Sequence, residues 1–349
     1  MKLLPPLLAA CLFATVAHGQ GVEVAPLTAP DVFSGGARDN GLGSDLWKGA
    51  SAELARRVMP TLGTKPLSPA ARALAVRVLS TGANAPDGAG EDRVLAAARG
   101  RALLNLGEPQ AANASVERIP NLAAEPVLAE VAAEAALLTG ADDRACLVEK
   151  GVTIGRGEIY WLRLRSYCQA IAGQADAAQL TLTLAQEKAR DAAFGRLMTA
   201  LLVQADPGAP SVRTGLETAL SRRLGLALPS PAPVPALIDA TGLDALLQAG
   251  PPGDLFAAAL GEALDGAGRD ALFAAPGKST AAPGRLAALQ MAADRGLAGE
   301  TALIALAIAQ EAPKTGLLAH DRAAIIRALA KVGLRQDARA LAFEGLAQP

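Results

Sequence analysis

Histidine is almost missing from this chain and aromatic residues are scarce. Only His18 and His320 occur in 349 residues, and Phe, Trp and Tyr together make up 3%. Imidazole is the side chain best suited to proton transfer near neutral pH and the commonest metal ligand. His18 lies in an N-terminal stretch expected to be removed, so one histidine is left. His320 stands beside Asp321 at the start of an expected helix and reads as a polar residue near a cap. One histidine and two remaining cysteines cannot make a zinc site of the usual spacing, and no HExxH segment occurs. There is no GxSxG elbow and no P-loop, and the glycine pairs Gly41/Gly43, Gly155/Gly157 and Gly266/Gly268 do not extend into GxGxxG. No catalytic residue, cofactor or metal is therefore expected.

Other absences narrow the field further. The 33 basic and 34 acidic residues are interspersed, for a net charge of −1, and no basic stripe exists to carry nucleic acid. Beyond the N-terminus no apolar run reaches the length of a transmembrane helix. Glu130 and Glu134 stand one helical turn apart and could serve as an acid–base pair. Sugar clefts need aromatic platforms, however, and the chain has few; solvated or groove-lining carboxylates are the favoured reading. A hydrolase acting on cell-wall glycan or peptide through such carboxylates is the alternative.

What is present is 51% hydrophobic residues, mostly Ala, Leu and Val. Ala and Leu favour helices, small side chains let helices approach, and residues that favour strands are few. The expected class is all-α, with enough chain for two compact modules or one extended solenoid.

The first 19 residues read as an export signal. Lys2 is followed by an apolar run, Leu3–Ala17, and Ala17-His18-Gly19 offers cleavage before Gln20. A rival reading takes Leu8-Ala9-Ala10-Cys11 as a lipoprotein box with Cys11 lipidated. Simple cleavage is preferred because apolar sequence continues past Cys11 through Phe13 and Val16. The mature chain is then a soluble, exported, bacterial periplasmic protein. Residues 20–43, with Pro26, Pro30, Gly35, Gly36, Gly41 and Gly43, read as a flexible arm on which Val32-Phe33 could dock.

Helices are expected from Ser44 onward: over 45–61, then from Pro69 behind the N-cap Ser68 to a stop at Gly82. From Glu91 a repeat can be counted. Gly107, Gly140 and Gly173 lie 33 residues apart; Gly100, Ala133 and Ser166 stand seven residues before them, and Ala112, Ala145 and Ala178 five after. The glycine ends one helix in a left-handed conformation, and the small residues sit where it crosses the next. Further helices are expected over 192–205 and 212–224. Pro229, Pro231, Pro233 and Pro235 then interrupt any helix, which places a linker at 225–235 between an N-terminal module, 44–224, and a C-terminal helical module, 236–349. Within the latter, 276–283 is expected to be a mobile polar loop, followed by four closing helices.

Over roughly 91–208 the small-residue, glycine and alanine positions resemble tetratricopeptide-like repeats, of the TPR or Sel1-like kind. The resemblance implies an α-solenoid of antiparallel helix pairs whose first helices line a concave groove. Positions ten and six before each glycine would face it: Ala97 and Arg101, Glu130 and Glu134, Arg163 and Tyr167, with Tyr160 further back on the same face. Tyr160 and Tyr167, seven apart, fit a core face equally well, and Trp161 is assigned to the core. In stacked pairs Cys146 and Cys168 come level across adjacent helices, and an exported protein would join them in a disulfide. The expectation is a binding scaffold or adaptor whose partner is a protein or peptide of the cell envelope.

Overall fold

A computed structural model of the chain describes residues 31–37, 40–230, 243–275 and 277–347. The expected signal sequence with Cys11, and residues 231–235 of the expected linker, lie outside them. The described residues form seventeen α-helices and no strand, so the protein is all-α. The first ten are α1 (Ala52–Val58), α2 (Pro69–Ser80), α3 (Arg93–Asn105), α4 (Pro109–Val116), α5 (Pro126–Thr139), α6 (Asp142–Gly151), α7 (Ile159–Ile171), α8 (Ala175–Lys188), α9 (Ala192–Val203) and α10 (Gly215–Arg223). After the proline-rich stretch come α11 (Leu243–Leu247), α12 (Pro251–Leu260), α13 (Gly266–Ala274), α14 (Pro283–Asp294), α15 (Ala298–Gln310), α16 (Ala319–Lys331) and α17 (Arg335–Ala347). Among the described residues no helix is long and apolar enough to cross a membrane.

Local chemistry sets the helix ends. The Ser68 hydroxyl accepts from the Ala71 N–H while Pro69 takes the first position of α2. Gly140 closes α5 at φ +82°; there the Ala141 N–H donates to Ala136 O at 2.8 Å, which satisfies a carbonyl the helix would otherwise leave open. The same turn recurs one period away on either side, where the Glu108 and Gln174 N–H groups donate to Leu103 O and Gln169 O. Gly100 serves packing instead of a turn. A Cβ there would lie 2.6 Å from Val131 Cγ1, so only glycine lets α3 come this close to α5. The expected helix over 45–61 shortens to α1 because Gly49 takes φ +72° and Ser51, rather than Ser44, is the cap.

Two hydrophobic cores share one helix. Leu128, Val131, Ala132 and Ala135 of α5 belong to the first, while Ala129, Ala133, Ala136 and Leu137 belong to the second. The second core is built from α5–α10 and contains Trp161, Leu164 and Tyr167 together with the Cys146–Cys168 disulfide, whose Cα atoms are 5.5 Å apart. The first core joins residues 32–135 to helices of the C-terminal part, from Leu246 to Phe343. A division at the proline-rich stretch therefore does not follow the cores, because that stretch interrupts the backbone without deciding which apolar faces meet.

Polar contacts seal the junction of the two chain ends. Trp47 lies on α15 where a Cβ at Gly299 would be 2.5 Å from its ring, and the Gly299 N–H donates to Leu46 O at 2.9 Å. Arg77 Nη2 meets Asp337 Oδ2 at 2.6 Å. Gln310 Nε2 donates to Thr61 O, and Gln310 Oε1 accepts from the Gly63 N–H. Glu344 accepts from the Ala70 N–H at 2.7 Å and from Arg322 Nη1 at 3.0 Å.

Described residues within two segments expected to be mobile are fastened. Within 20–43, Val32 and Phe33 are buried, and the cause is Arg99, itself only 1% exposed. Its guanidinium donates to four carbonyls: Leu79 O at 2.7 Å, Phe33 O at 2.9 Å, Gly35 O at 2.8 Å and Thr81 O at 2.7 Å. It also lies 5.1 Å from the centroid of the Phe33 ring. In the 276–283 loop, Asp321 accepts from the Ser279 hydroxyl, from both the backbone and the hydroxyl of Thr280, and from the Ala281 N–H. Burial raises the Asp321 pKa, but these donors outweigh it and leave the carboxyl below its ordinary value.

Candidate binding cavity

With two faces of α5 committed to cores, a third row remains: Glu130, Glu134 and Leu138, spaced one turn apart. It meets Arg101 and Asn105 of α3, Tyr160 from the first turn of α7, Thr214, Gly215 and Thr218 at the start of α10 and Leu228–Ser230 beyond it. Together these residues line an open cavity of about 920 Å³. The sequence folds this way because Thr214 caps α10, accepting from the Glu217 N–H, which brings the helix N-terminus against α5.

The charges in the cavity are of both signs. Arg101 Nη2 donates to Glu130 Oε1 at 2.7 Å. Glu134 Oε2 accepts from the Gly215 N–H at 2.7 Å, so a carboxylate sits at the N-terminus of α10, where its charge is favoured. Its Oε1 and the Tyr160 hydroxyl are both buried without a hydrogen-bond partner of normal geometry. Burial pushes the Glu134 pKa up, and neighbouring Glu130 adds to this; the Gly215 N–H, Tyr160 and Arg101 pull it down without cancelling the rise. Burial, then Glu134 and Glu130, drive the Tyr160 hydroxyl well above its ordinary pKa. Arg213, at the rim, is engaged by Glu217 and by Asp191.

Of the six expected groove residues, Arg101, Glu130, Glu134 and Tyr160 come together here, whereas Arg163 and Tyr167 do not. Tyr167 is fully buried and its hydroxyl donates to Asp142 Oδ2 at 2.8 Å. Arg163 donates to Ala189 O at 3.0 Å, faces Asp191 at 3.5 Å and lies over the Phe194 ring. The residues that open α9 hold Arg163, whereas Tyr167 is tied to Asp142 of α6, a carboxylate that Arg222 of α10 also reaches at 2.7 Å. Sequence reasoning missed the α10 wall. The signal available was Thr214-Gly215-Leu216-Glu217, a Ser/Thr-x-x-Glu start, but nothing local says that this start faces α5.

Among the described residues no group of three or more His, Cys, Asp or Glu side chains is placed to hold a metal ion. Compared with protein-family models, with curated proteins and with solved structures, the chain matches none.

Proposed function

We propose that this protein is an exported, periplasmic scaffold or adaptor that binds a protein or peptide of the cell envelope in the cavity between α3, α5, α7 and α10. The solenoid reading belongs to the same proposal: α3–α8 would be three tetratricopeptide-like antiparallel pairs, with α9 and α10 closing the row. The supporting observation is the convergence of Arg101, Glu130, Glu134 and Tyr160 on one open cavity. Paired charges, a tyrosine and the apolar side chains of Leu104, Leu138 and Val212 suit a peptide of mixed character.

Glu134, with its raised pKa, is the one observation favouring the alternative of a carboxylate hydrolase. Glu130, one turn away, is committed to Arg101 and is not free to act as the second catalytic carboxylate.

The test is a blocking substitution. Thr218 is half-buried in the cavity wall, and its hydroxyl bonds only Thr214 O one turn back among the described residues. Thr218→Arg should fill the opening and leave the melting temperature unchanged. Affinity capture from the periplasmic fraction, quantified by mass spectrometry, should lose a partner that the wild type retains. Identical partners with both proteins would refute the cavity as the binding site, and absence of the protein from that fraction would refute export.

A further inference from the structure

A second cavity, unrelated to the first, opens where the two chain ends meet. It has a volume of about 760 Å³ and lies between the loop leading into α2 and the loop joining α15 to α16. Pro66, Leu67, Ala309, Ala312, Pro313 and Leu317 give it apolar walls. Its charged lining residues are Lys65, Lys314 and Arg322, and no acidic residue lines it.

Arg322 is the informative member. It is 2% exposed, yet it forms part of the cavity wall. Nη1 donates to Leu341 O at 3.1 Å and to Glu344 Oε1 at 3.0 Å. Nε and Nη2 have no hydrogen-bond partner among the described residues. Glu344 in turn also accepts from the Ala70 N–H, so its charge is shared between two donors. Lys65 and Lys314 are exposed and form no ion pair among the described residues. Asp321 in the first turn of α16 balances the dipole of that helix, so the positive charge lining this cavity is that of the three basic side chains. A buried guanidinium with free donors at an apolar cavity fits a planar anion carried on an apolar body, since the fork can donate to two oxygens at once.

We propose that this cavity binds a long-chain carboxylate, with the carboxylate held by Arg322 and the two lysines and the hydrocarbon chain laid along the Pro66–Leu67 and Ala312–Leu317 walls. A linear chain is preferred to a peptide because the cavity wall is mainly hydrocarbon.

Titration calorimetry of the full-length mature protein with dodecanoate, below its micellar concentration, tests this directly. One site is expected, with dodecanol binding at least tenfold more weakly. Lys65→Glu with Lys314→Glu, both exposed loop changes that spare the buried Arg322–Glu344 pair, should weaken dodecanoate at least tenfold. Ala312→Phe should fill the cavity and do the same, while Thr218→Arg at the other cavity should change nothing. Equal binding of dodecanol and dodecanoate, or unchanged affinity in the double lysine variant, would overturn the proposal. So would binding of an acetylated apolar pentapeptide with a free C-terminus, but not of its amide, if dodecanoate fails to bind.

Discussion

Replacing Arg99 with methionine should destabilise the protein more than any surface change. The variant keeps most of the apolar stem and removes the charged head, leaving four buried carbonyls without their donor. Hydrogen bonds from a charged group contribute roughly 1.5–3 kcal/mol each, so the gross loss is about 6–12 kcal/mol. Against this stands the lost hydration of the guanidinium: burial, partly offset by Asp31, pushes its pKa down to about 10. At about 1.4 kcal/mol per pH unit this returns roughly 3 kcal/mol when the charge is removed. Relaxation of the 33–35 segment recovers more, and a net loss of about 4 kcal/mol is expected, within the range for breaking a buried charged network. Arg99→Lys should fall between, because one ammonium has three donors and cannot span four carbonyls. Urea unfolding followed by circular dichroism measures both, with the slope showing whether the unfolding reaction stays comparable. A loss below about 1 kcal/mol for Arg99→Met would refute the view that this arginine anchors residues 33–35.

Two further predictions concern the second core and the first cavity. Reducing the Cys146–Cys168 bridge, which closes a loop of sequence separation 22, should lower stability by about 3 kcal/mol in the chain-entropy model; thiol counting on the denatured, unreduced protein should find neither cysteine free. Glu134 titrates above its ordinary value in the folded state, so the native protein binds the proton more tightly than the unfolded chain does. Stability is therefore lost as pH rises from the ordinary carboxylate range through the raised value. Glu134→Gln removes that loss: its melting temperature should exceed the wild type's by more at pH 7.5 than at pH 4, and a gain larger at pH 4 would contradict the assignment.

The sequence made local features readable and hid those that depend on distant partners. The glycine period was legible because the turns at Gly107, Gly140 and Gly173 are made by residues within six positions of one another. The cysteine pairing followed from adjacent helices. Val32 and Phe33 could not be placed, since their burial depends on Arg99 and Trp47, and Arg99 looks in sequence like any helix-surface arginine. Tyr167 was open to either reading because the carboxylate that takes its hydroxyl, Asp142, comes from α6, and Arg222, which shares that carboxylate, from α10. Ser279–Ala281 has the polar composition of a mobile loop, and only the position of Asp321, some forty residues later, holds it.

The junction of the chain ends has a consequence for the order of assembly. The second core draws on residues 122–226 and can be completed while later residues are still emerging. The first core cannot: Trp47 waits for Gly299, Arg77 for Asp337, and the first turn of α2 for Glu344. Contacts spanning some 250 residues form late and slowly. A polypeptide released before α17 would thus leave the apolar faces of its earliest helices uncovered, and a C-terminal truncation would first show its damage near the N-terminus.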